Sequence, residues 1–553
     1  IDFADNKGFL PYNVGDYIDV HYRSTGKKTI IVRAVRDDEV LESKFCFDIL
    51  ELDIPDPSDT LHITASIPYN GEYGSGDGYV YYAEGHSEII KPVIVVEGFD
   101  MDNEMDWDEL YDLLDQEYLI DSLRSYGFDA IVLNFDDSPD YIQRNACILV
   151  ELIEYINNYC YCEEDPVVIG ASMGGLVSRY ALTLIENLGY IHNVRTWISF
   201  DSPQKGANIP LGIQYWMDFF ADMSEEAEHL RSRLSTPAAK QMLLYFFTDP
   251  PSLIPDCDPL RYDFLDDLIA IGNFPQQPRT VAIINGSGTM ESQGFGAGEQ
   301  IILYEYSSFL VDIVGNIWAI PDSDYTMIMQ GEIDKIWPLD DSYSNIFVMN
   351  TLPYDNAPGG YRETMTQMDT TETGYGDIVA LYTKHCFIPA ISSLALDVED
   401  PFYDINGEDD IYSITPFDQV YFPIENQDHV SISPESARWF MNEINPEIFG
   451  IEELSVMKRY NLDIMPNPFS NTTNIRADII GNSGCDVNLY DLNGRLIRDF
   501  GYFYDNISII WNGRDNRNMI CPPGIYLCTV NDGQKIESSK IIYMNESGKR
   551  WTK

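Results

Sequence analysis

Positive charge is scarce in this chain. Its 34 lysines and arginines stand against 90 aspartates and glutamates, a formal charge of −56. A surface of that sign repels phosphate backbones and anionic headgroups, so nucleic acid is not an expected partner. No uninterrupted apolar stretch reaches the roughly 18 residues of a membrane-spanning helix, so no transmembrane segment is expected. The first residues, Ile1-Asp2-Phe3, carry no charged-apolar-small leader. Either a signal peptide is not used or it has already been removed. No fixed-period repeat is present, and 38 glycines and 30 prolines are near average for 553 residues. Solenoid and collagenous architectures are thereby excluded. The acids are dispersed and never adopt the spacing of a calcium loop, even around Asp409-Asp410, so no metal is assigned. Nine cysteines lie scattered, and Cys160-Tyr161-Cys162 is too tight for a zinc knuckle. Disulfides are compatible with export, but the sequence assigns none; Cys147 and Cys386 are expected to pack in the core.

What the chain does have is core-forming material in several textures. Hydrophobic residues make up 44% of it, enough for two or three domains. Residues 1–89 read as short alternating strands, such as Lys28 to Val35 and Leu61 to Ile67, with Gly74-Ser75-Gly76-Asp77-Gly78 as turn chemistry. A small N-terminal β-sandwich is the expectation. From Val93 the texture changes to continuous apolar runs: Val93 to Val96, Ala130 to Leu133, Val167 to Ile169, Thr196 to Phe200 and Val281 to Ile284. Such runs suit parallel strands covered on both faces, and the helical periods between them predict a doubly wound α/β sheet over 90–452. Within it, 210–277 reads as a helical insertion whose Trp216, Phe219, Phe220, Met242, Leu243 and Phe246 either pack the insertion or wall the site as a lid. A second insertion, 300–350, reads as a β-meander. After Phe449 short strands return, and 455–553 is expected to be an all-β sandwich.

The chemistry centres on Gly170-Ala171-Ser172-Met173-Gly174. As a bare G-x-S-x-G pentapeptide it is a weak signal. Its setting strengthens it, because Val167-Val168-Ile169 supplies a buried strand before it and Gly174 to Leu182 a helix after it. A serine on a strand-to-helix turn is held in strained backbone, with its Oγ exposed at the carboxyl edge of the sheet. The free N–H groups of the following helix make the Met173 amide one candidate oxyanion donor. Val96-Glu97-Gly98-Phe99 follows the first apolar run, and the Phe99 amide is the second candidate.

With seven histidines in the chain, the search for a general base is short. The order nucleophile, acid, histidine leaves His192, His229, His385 and His429. His192 and His229 read as solvated surface residues. His429 follows the short strand Gln419 to Phe422 and precedes a helix from Pro434 to Ile444, where a last strand would deliver the base. His385 is its rival. For the acid, Asp397 follows the apolar run Phe387 to Leu396 and precedes the His429 segment; Asp334 and Asp418 are its rivals.

Glu97-Gly98-Phe99-Asp100, the block from Gly170 to Leu182, Ser199-Phe200-Asp201-Ser202-Pro203 with Gly206 to Pro210, and Asn426 to Val430 together resemble the lipase/esterase-type α/β hydrolases secreted by Bacteroidetes. The resemblance covers roughly 90–450. It implies Ser172 as nucleophile and His429 as base, whereas the acid has no equally sharp motif. Glu97 also stands where many lipases have histidine. Farther on, Met465-Pro466-Asn467-Pro468-Phe469, Val487 to Arg495, Trp511-Asn512-Gly513, Pro523-Gly524-Ile525-Tyr526 and Lys540-Ile541-Ile542 are similar to the type A sorting domain of the type IX secretion system. That implies a secreted or cell-surface protein, with the secretion machinery as a partner and a signal peptide already removed.

Together these readings predict an esterase or lipase working through a Ser172, His429, Asp397 triad and an acyl-enzyme, without a cofactor, on a small-molecule or lipid ester. Peptidase or acyltransferase chemistry would use the same triad. The non-enzymatic alternative is a surface-binding protein with a degenerate hydrolase domain.

Overall fold

The computed structural model describes Phe3, 26–36, 39–49, most of 54–446 and most of 460–543. Of the expected motifs, Pro466 to Pro468, Leu492 to Gly494 and Pro523 lie outside the described residues. The chain forms two compact units, Ile1–Gly450 and Ile451–Lys553.

The first unit is organised by one eight-stranded sheet: β1 (Asp59–Thr64), β2 (Ser75–Tyr81), β3 (Pro92–Val96), β4 (Asp129–Phe135), β5 (Val167–Ala171), β6 (Thr196–Phe200), β7 (Arg279–Ile283) and β8 (Gln419–Tyr421). Their spatial order is β1-β2-β4-β3-β5-β6-β7-β8. From β4 through β8 every neighbouring pair is parallel, and β1 and β2 join antiparallel at one edge. The five residues of β3 and of β5 are all buried, as strands covered by helices on both faces must be. This is the doubly wound, mostly parallel arrangement that the apolar runs predicted, as the resemblance to α/β hydrolases implies.

The N-terminal expectation needs correction. The described part of 1–89 does not make a separate sandwich, because β1 and β2 extend the main sheet, and the strands Gly26–Arg36 and Glu39–Ile49 pair with each other as a sheet of two. Nor is the glycine-rich stretch from Ser75 to Gly78 a turn; it lies inside β2. Gly76 is there because a Cβ would collide with the carbonyl oxygen of Asn134 on β4. Close backbone approach, rather than a reversal of the chain, explains the composition.

The helical insertion follows β6 as helices Leu211–Phe220, Glu225–Leu234, Pro237–Met242 and Pro259–Ile271. Its aromatics are packing residues. Trp216 donates from Nε1 to Gly315 O (3.1 Å), and Trp216 and Phe220 pack against Tyr304 on the antiparallel sheet that holds Gln300–Leu303, Val311–Trp318, Thr326–Lys335 and Ser342–Val348. Two buried arginines tie both ends of the insertion to the nucleophile helix and the sheet. Arg179, on the helix Met173–Asn187, lies 3.6 Å over the Phe274 ring and donates to Asn273 O (2.7 Å) and Gln204 O (3.2 Å). Arg261 donates to the carbonyls of Lys205, Gln241 and Met242.

Among its described residues the second unit holds two antiparallel sheets, one of three strands and one of four. Val487, Leu489, Trp511, Cys528, Val530 and Ile541 are wholly buried in its own core.

Candidate active site

Ser172 ends β5 and opens the helix Met173–Asn187 with φ 52° and ψ −123°. A side chain in that region is strained, and the strain is held by packing on every side of the turn. The Ser172 amide donates to Phe200 O of β6 (2.9 Å), and the Ser172 carbonyl accepts from Gly175 N (3.1 Å). The side chain remains partly open to solvent in an otherwise buried segment.

His429 reaches Ser172 from the far edge of the sheet. After β8 the loop 426–430 is fixed by its own polar side chains. Asn426 Oδ1 accepts from Ser287 N and Gly359 N, both at 2.9 Å, and Gln427 Oε1 accepts from Asn285 Nδ2 (3.0 Å). The short strand Gly359–Arg362 then bonds the loop from the side: Tyr361 N donates to Gln427 O, and His429 N to Tyr361 O, each at 3.0 Å. Held in this way, His429 places Nε2 2.8 Å from Ser172 Oγ. The following helix, Pro434–Ile444, starts on a capping box at Ser433.

The carboxylate at Nδ1 belongs to Asp201, with Oδ2 at 2.7 Å. Asp201 is the residue after β6, with φ 40°, and is fully buried. Its Oδ1 accepts from Asn285 N (3.0 Å), and its own amide donates to Ile283 O of β7 (2.8 Å). Since a carboxylate only accepts, Nδ1 of the neutral imidazole carries the proton and Nε2 is left to accept from the serine hydroxyl. Burial holds the His429 imidazolium below its ordinary pKa of 6.5 against the opposing hydrogen bond from Asp201, and the Arg362 charge adds to the lowering.

Asp397 does not meet His429. Its side chain is exposed, its amide donates to Ile414 O (2.8 Å), and its charge acts on Lys205. The run Phe387 to Leu396 becomes the strand His385–Pro389 and a turn of helix, after which Asp397 bonds to Ile414 rather than to the His429 loop. The rivals are also elsewhere. Asp334 is exposed on the strand Thr326–Lys335, and Asp418 precedes β8, at the wrong end of that strand, accepting from Thr280 N (2.8 Å). His385 is buried beside Cys386 O (2.9 Å) and Thr364 Oγ1 (3.0 Å); desolvation, joined by the Arg362 charge, brings its pKa down to about 4 against the hydrogen bond to Cys386 O. His192, expected at the surface, is buried and joined to Glu186 (3.2 Å) and Val194 N (2.9 Å), whereas His229 is exposed.

The loop expected to supply the second amide lies against the serine. A Cβ on Gly98 would stand 3.0 Å from Ser172 Cβ and 3.6 Å from its Oγ. Ser138 pins the peptides on both sides of Phe99: its Oγ donates to Gly98 O (3.2 Å) and accepts from Asp100 N (3.1 Å). Glu97 fixes the base of the loop. It is buried, its Oε1 accepts from Phe135 N (2.9 Å), and desolvation raises its pKa well above the usual carboxylate range. Met173 is the first helical residue after the serine, where an amide has no partner within the helix.

Comparison with known proteins agrees with these two units. Residues 135–249 match the PGAP1-like alpha/beta domain, and residues 463–544 match the secretion system C-terminal sorting domain. No curated protein matches the chain significantly. Among solved structures, latent PorU from Porphyromonas gingivalis is 23% identical over 15% of this chain, with a TM-score of 0.14; this chain spans only 9% of that protein. Est1E from Butyrivibrio proteoclasticus aligns at 13% identity over 40% of this chain and 76% of its own, TM-score 0.25. An esterase from Pyrobaculum calidifontis aligns at 11% identity over 41% and 66%, also with TM-score 0.25. Among the described residues no helix is long and apolar enough to cross a membrane. The chain thus carries a PGAP1-like α/β-hydrolase domain followed by a type IX sorting domain, the address of a protein secreted or displayed on the outer cell surface.

Proposed function

We propose that the chain is a serine hydrolase of carboxylic esters, with Ser172 as nucleophile, His429 as general base and then acid, and Asp201 as the carboxylate that orients the imidazole. The observation that carries this reading is the unbroken relay from Ser172 Oγ to His429 Nε2 (2.8 Å) and from His429 Nδ1 to Asp201 Oδ2 (2.7 Å). Ser172 Oγ attacks the ester carbonyl while His429 takes its proton. The tetrahedral oxyanion is received by the amides of Met173 and Phe99, and the imidazolium, stabilised by buried Asp201, returns the proton to the leaving alcohol. Water, activated by the same histidine, then releases the acid from the acyl-serine. Esters are favoured over amides because an alkoxide leaves more readily than an amide nitrogen. The sorting domain would deliver this activity to the outer surface, through residues 455–553, while 90–452 perform it.

Labelling with a fluorophosphonate followed by peptide mapping tests the assignment. Label on Ser172, lost in Ser172→Ala together with about 10³-fold or more of p-nitrophenyl ester hydrolysis, supports it. An unlabelled but folded wild-type chain would leave a surface-binding protein as the better reading.

A further inference from the structure

Arginine is a rare resource in a chain with 34 basic residues against 90 acidic ones, and one of them stands unused beside the site. Arg362 ends the strand Gly359–Arg362, whose other residues hold the site together. Gly360 lies so close to Asp201 that a Cβ would overlap its Oδ2, and Tyr361 bonds the His429 loop on both sides. Side chains alternate along a strand, so Arg362 leaves the backbone on the face that Gly360 turns toward Asp201.

Its register partner is His385, two residues before Phe387. The strand His385–Pro389 is bulged there, since Gly360 pairs with Ile388 but Tyr361 with Cys386. The extra residue, Phe387, sets its ring edge-on against the His429 imidazole with centroids 4.9 Å apart. The Arg362 guanidinium stacks 5.7 Å from the centroid of that same ring. Phe387 thus touches both the base and the arginine, and the positive charge stands close to the reacting atoms.

Among the described residues the guanidinium finds no hydrogen-bond or ion-pair partner. The nearby carboxylates are otherwise engaged: Asp201 holds His429 and the Asn285 amide, and Asp428 Oδ1 accepts from His429 N (3.0 Å). Desolvation lowers the Arg362 pKa, and attraction from Asp428 and Asp201 opposes it. The side chain is nevertheless open to solvent. A planar fork of donors in that condition matches one ligand chemistry, a carboxylate or phosphate bound through paired N–H groups.

We propose that Arg362 is a specificity residue that selects esters carrying an anionic group, carboxylate or phosphate, next to the scissile bond. The proposal rests on the serine-hydrolase reading above. It gives the site a local positive pole within a strongly acidic protein, so that an anionic substrate repelled elsewhere is held at the reacting end.

The test is steady-state hydrolysis by the full chain of three aryl esters matched in length: a neutral butyrate, a hemisuccinate, and an ester bearing a terminal phosphate monoester. Arg362→Gln is expected to lower the ratio of anionic to neutral kcat/KM by about 10- to 100-fold, the size of one charge-assisted pair, and Arg362→Lys to restore part of it. The anion with the larger drop identifies the group selected. A ratio unchanged for both anions, in a variant that still turns over the neutral ester and keeps the wild-type melting temperature, overturns the proposal alone. Loss of neutral turnover in the wild type, with no fluorophosphonate label on Ser172, overturns the hydrolase reading and this inference with it. If Arg362→Gln fails to fold, the Arg362→Lys ratio decides: a ratio equal to wild type for both anions overturns the proposal, and a reduced one supports it.

Discussion

Asp201 Oδ2 and His429 Nδ1 are 2.7 Å apart although 228 residues separate them in the chain. Both are buried, and the carboxylate's second oxygen is held by the Asn285 amide, so this pair has one geometry. Asp201→Asn should therefore keep the fold but lose the charge and the tautomer selection, lowering kcat by about 10⁴-fold at neutral pH. Asp397→Asn, on an exposed side chain, should leave kcat unchanged. Ester hydrolysis by the two purified variants distinguishes the assignments directly, and the reverse pattern would restore Asp397 as the acid.

The pH profile follows from the lowered pKa of His429. The base works in its neutral form, so kcat/KM stays flat as pH falls toward 6.5, the ordinary histidine value, and drops only below it. Arg362 is one cause of the lowering. Removing that charge in Arg362→Gln should move the acid limb to higher pH. A wild-type limb centred above 6.5 on a neutral ester contradicts this.

Glu97 makes a stability prediction of opposite sign to that of an ordinary surface carboxylate. Its folded-state pKa is raised well above 4.5 by burial. The folded state thus holds a proton that the unfolded chain releases, so its stabilising contribution is full below about pH 4.5 and is lost as pH rises through the folded value. Glu97→Gln keeps the shape without the titration. Its melting temperature should decline less than that of the wild type as the pH is raised from 5 to 8, by scanning calorimetry at about unit pH steps. Parallel curves would show that Glu97 titrates normally.

The division of the chain at Gly450 allows a separate test of the C-terminal unit. Each unit has its own core, so a chain ending at Gly450 should fold and retain ester hydrolysis. It should also stay inside the cell envelope, because the sorting domain at 463–544 is gone. Cell fractionation checks this, and a truncated protein recovered on the outer surface would contradict it.

Much of the site was legible because strained or buried elements mark themselves in sequence. Ser172 was readable from a buried strand on one side and a helix on the other, and the last helix was readable from Pro434 to Ile444. Asp201 was missed for a reason that is itself physical. It follows β6 as Ser172 follows β5, and parallel strands side by side bring both chain ends to the same edge. The Asp201 signal, an acid directly after the run Thr196 to Phe200, was present, but chain order alone allowed every aspartate between Ser172 and His429. The glycines at 74–78 misled in the same way: composition cannot tell a turn from two backbones in contact, and only the pairing of β2 with β4 does so. His192 reads as solvated in sequence because neither its Glu186 partner nor its burial leaves a periodic trace.

The two buried arginines bear on how the helical insertion can move. Arg261 grips the insertion where it leaves β6, and Arg179 grips it at Asn273 and Phe274, where it returns to β7. Mechanically the insertion is an arch on two piers rather than a door on a hinge. Swinging it as one body would tear guanidinium groups from carbonyls inside the protein, whereas the polar helix Glu225–Leu234 between the piers is bonded to neither arginine. Because one pier stands on the nucleophile helix itself, the span that roots the insertion is keyed to the same helix that carries Ser172 at its start.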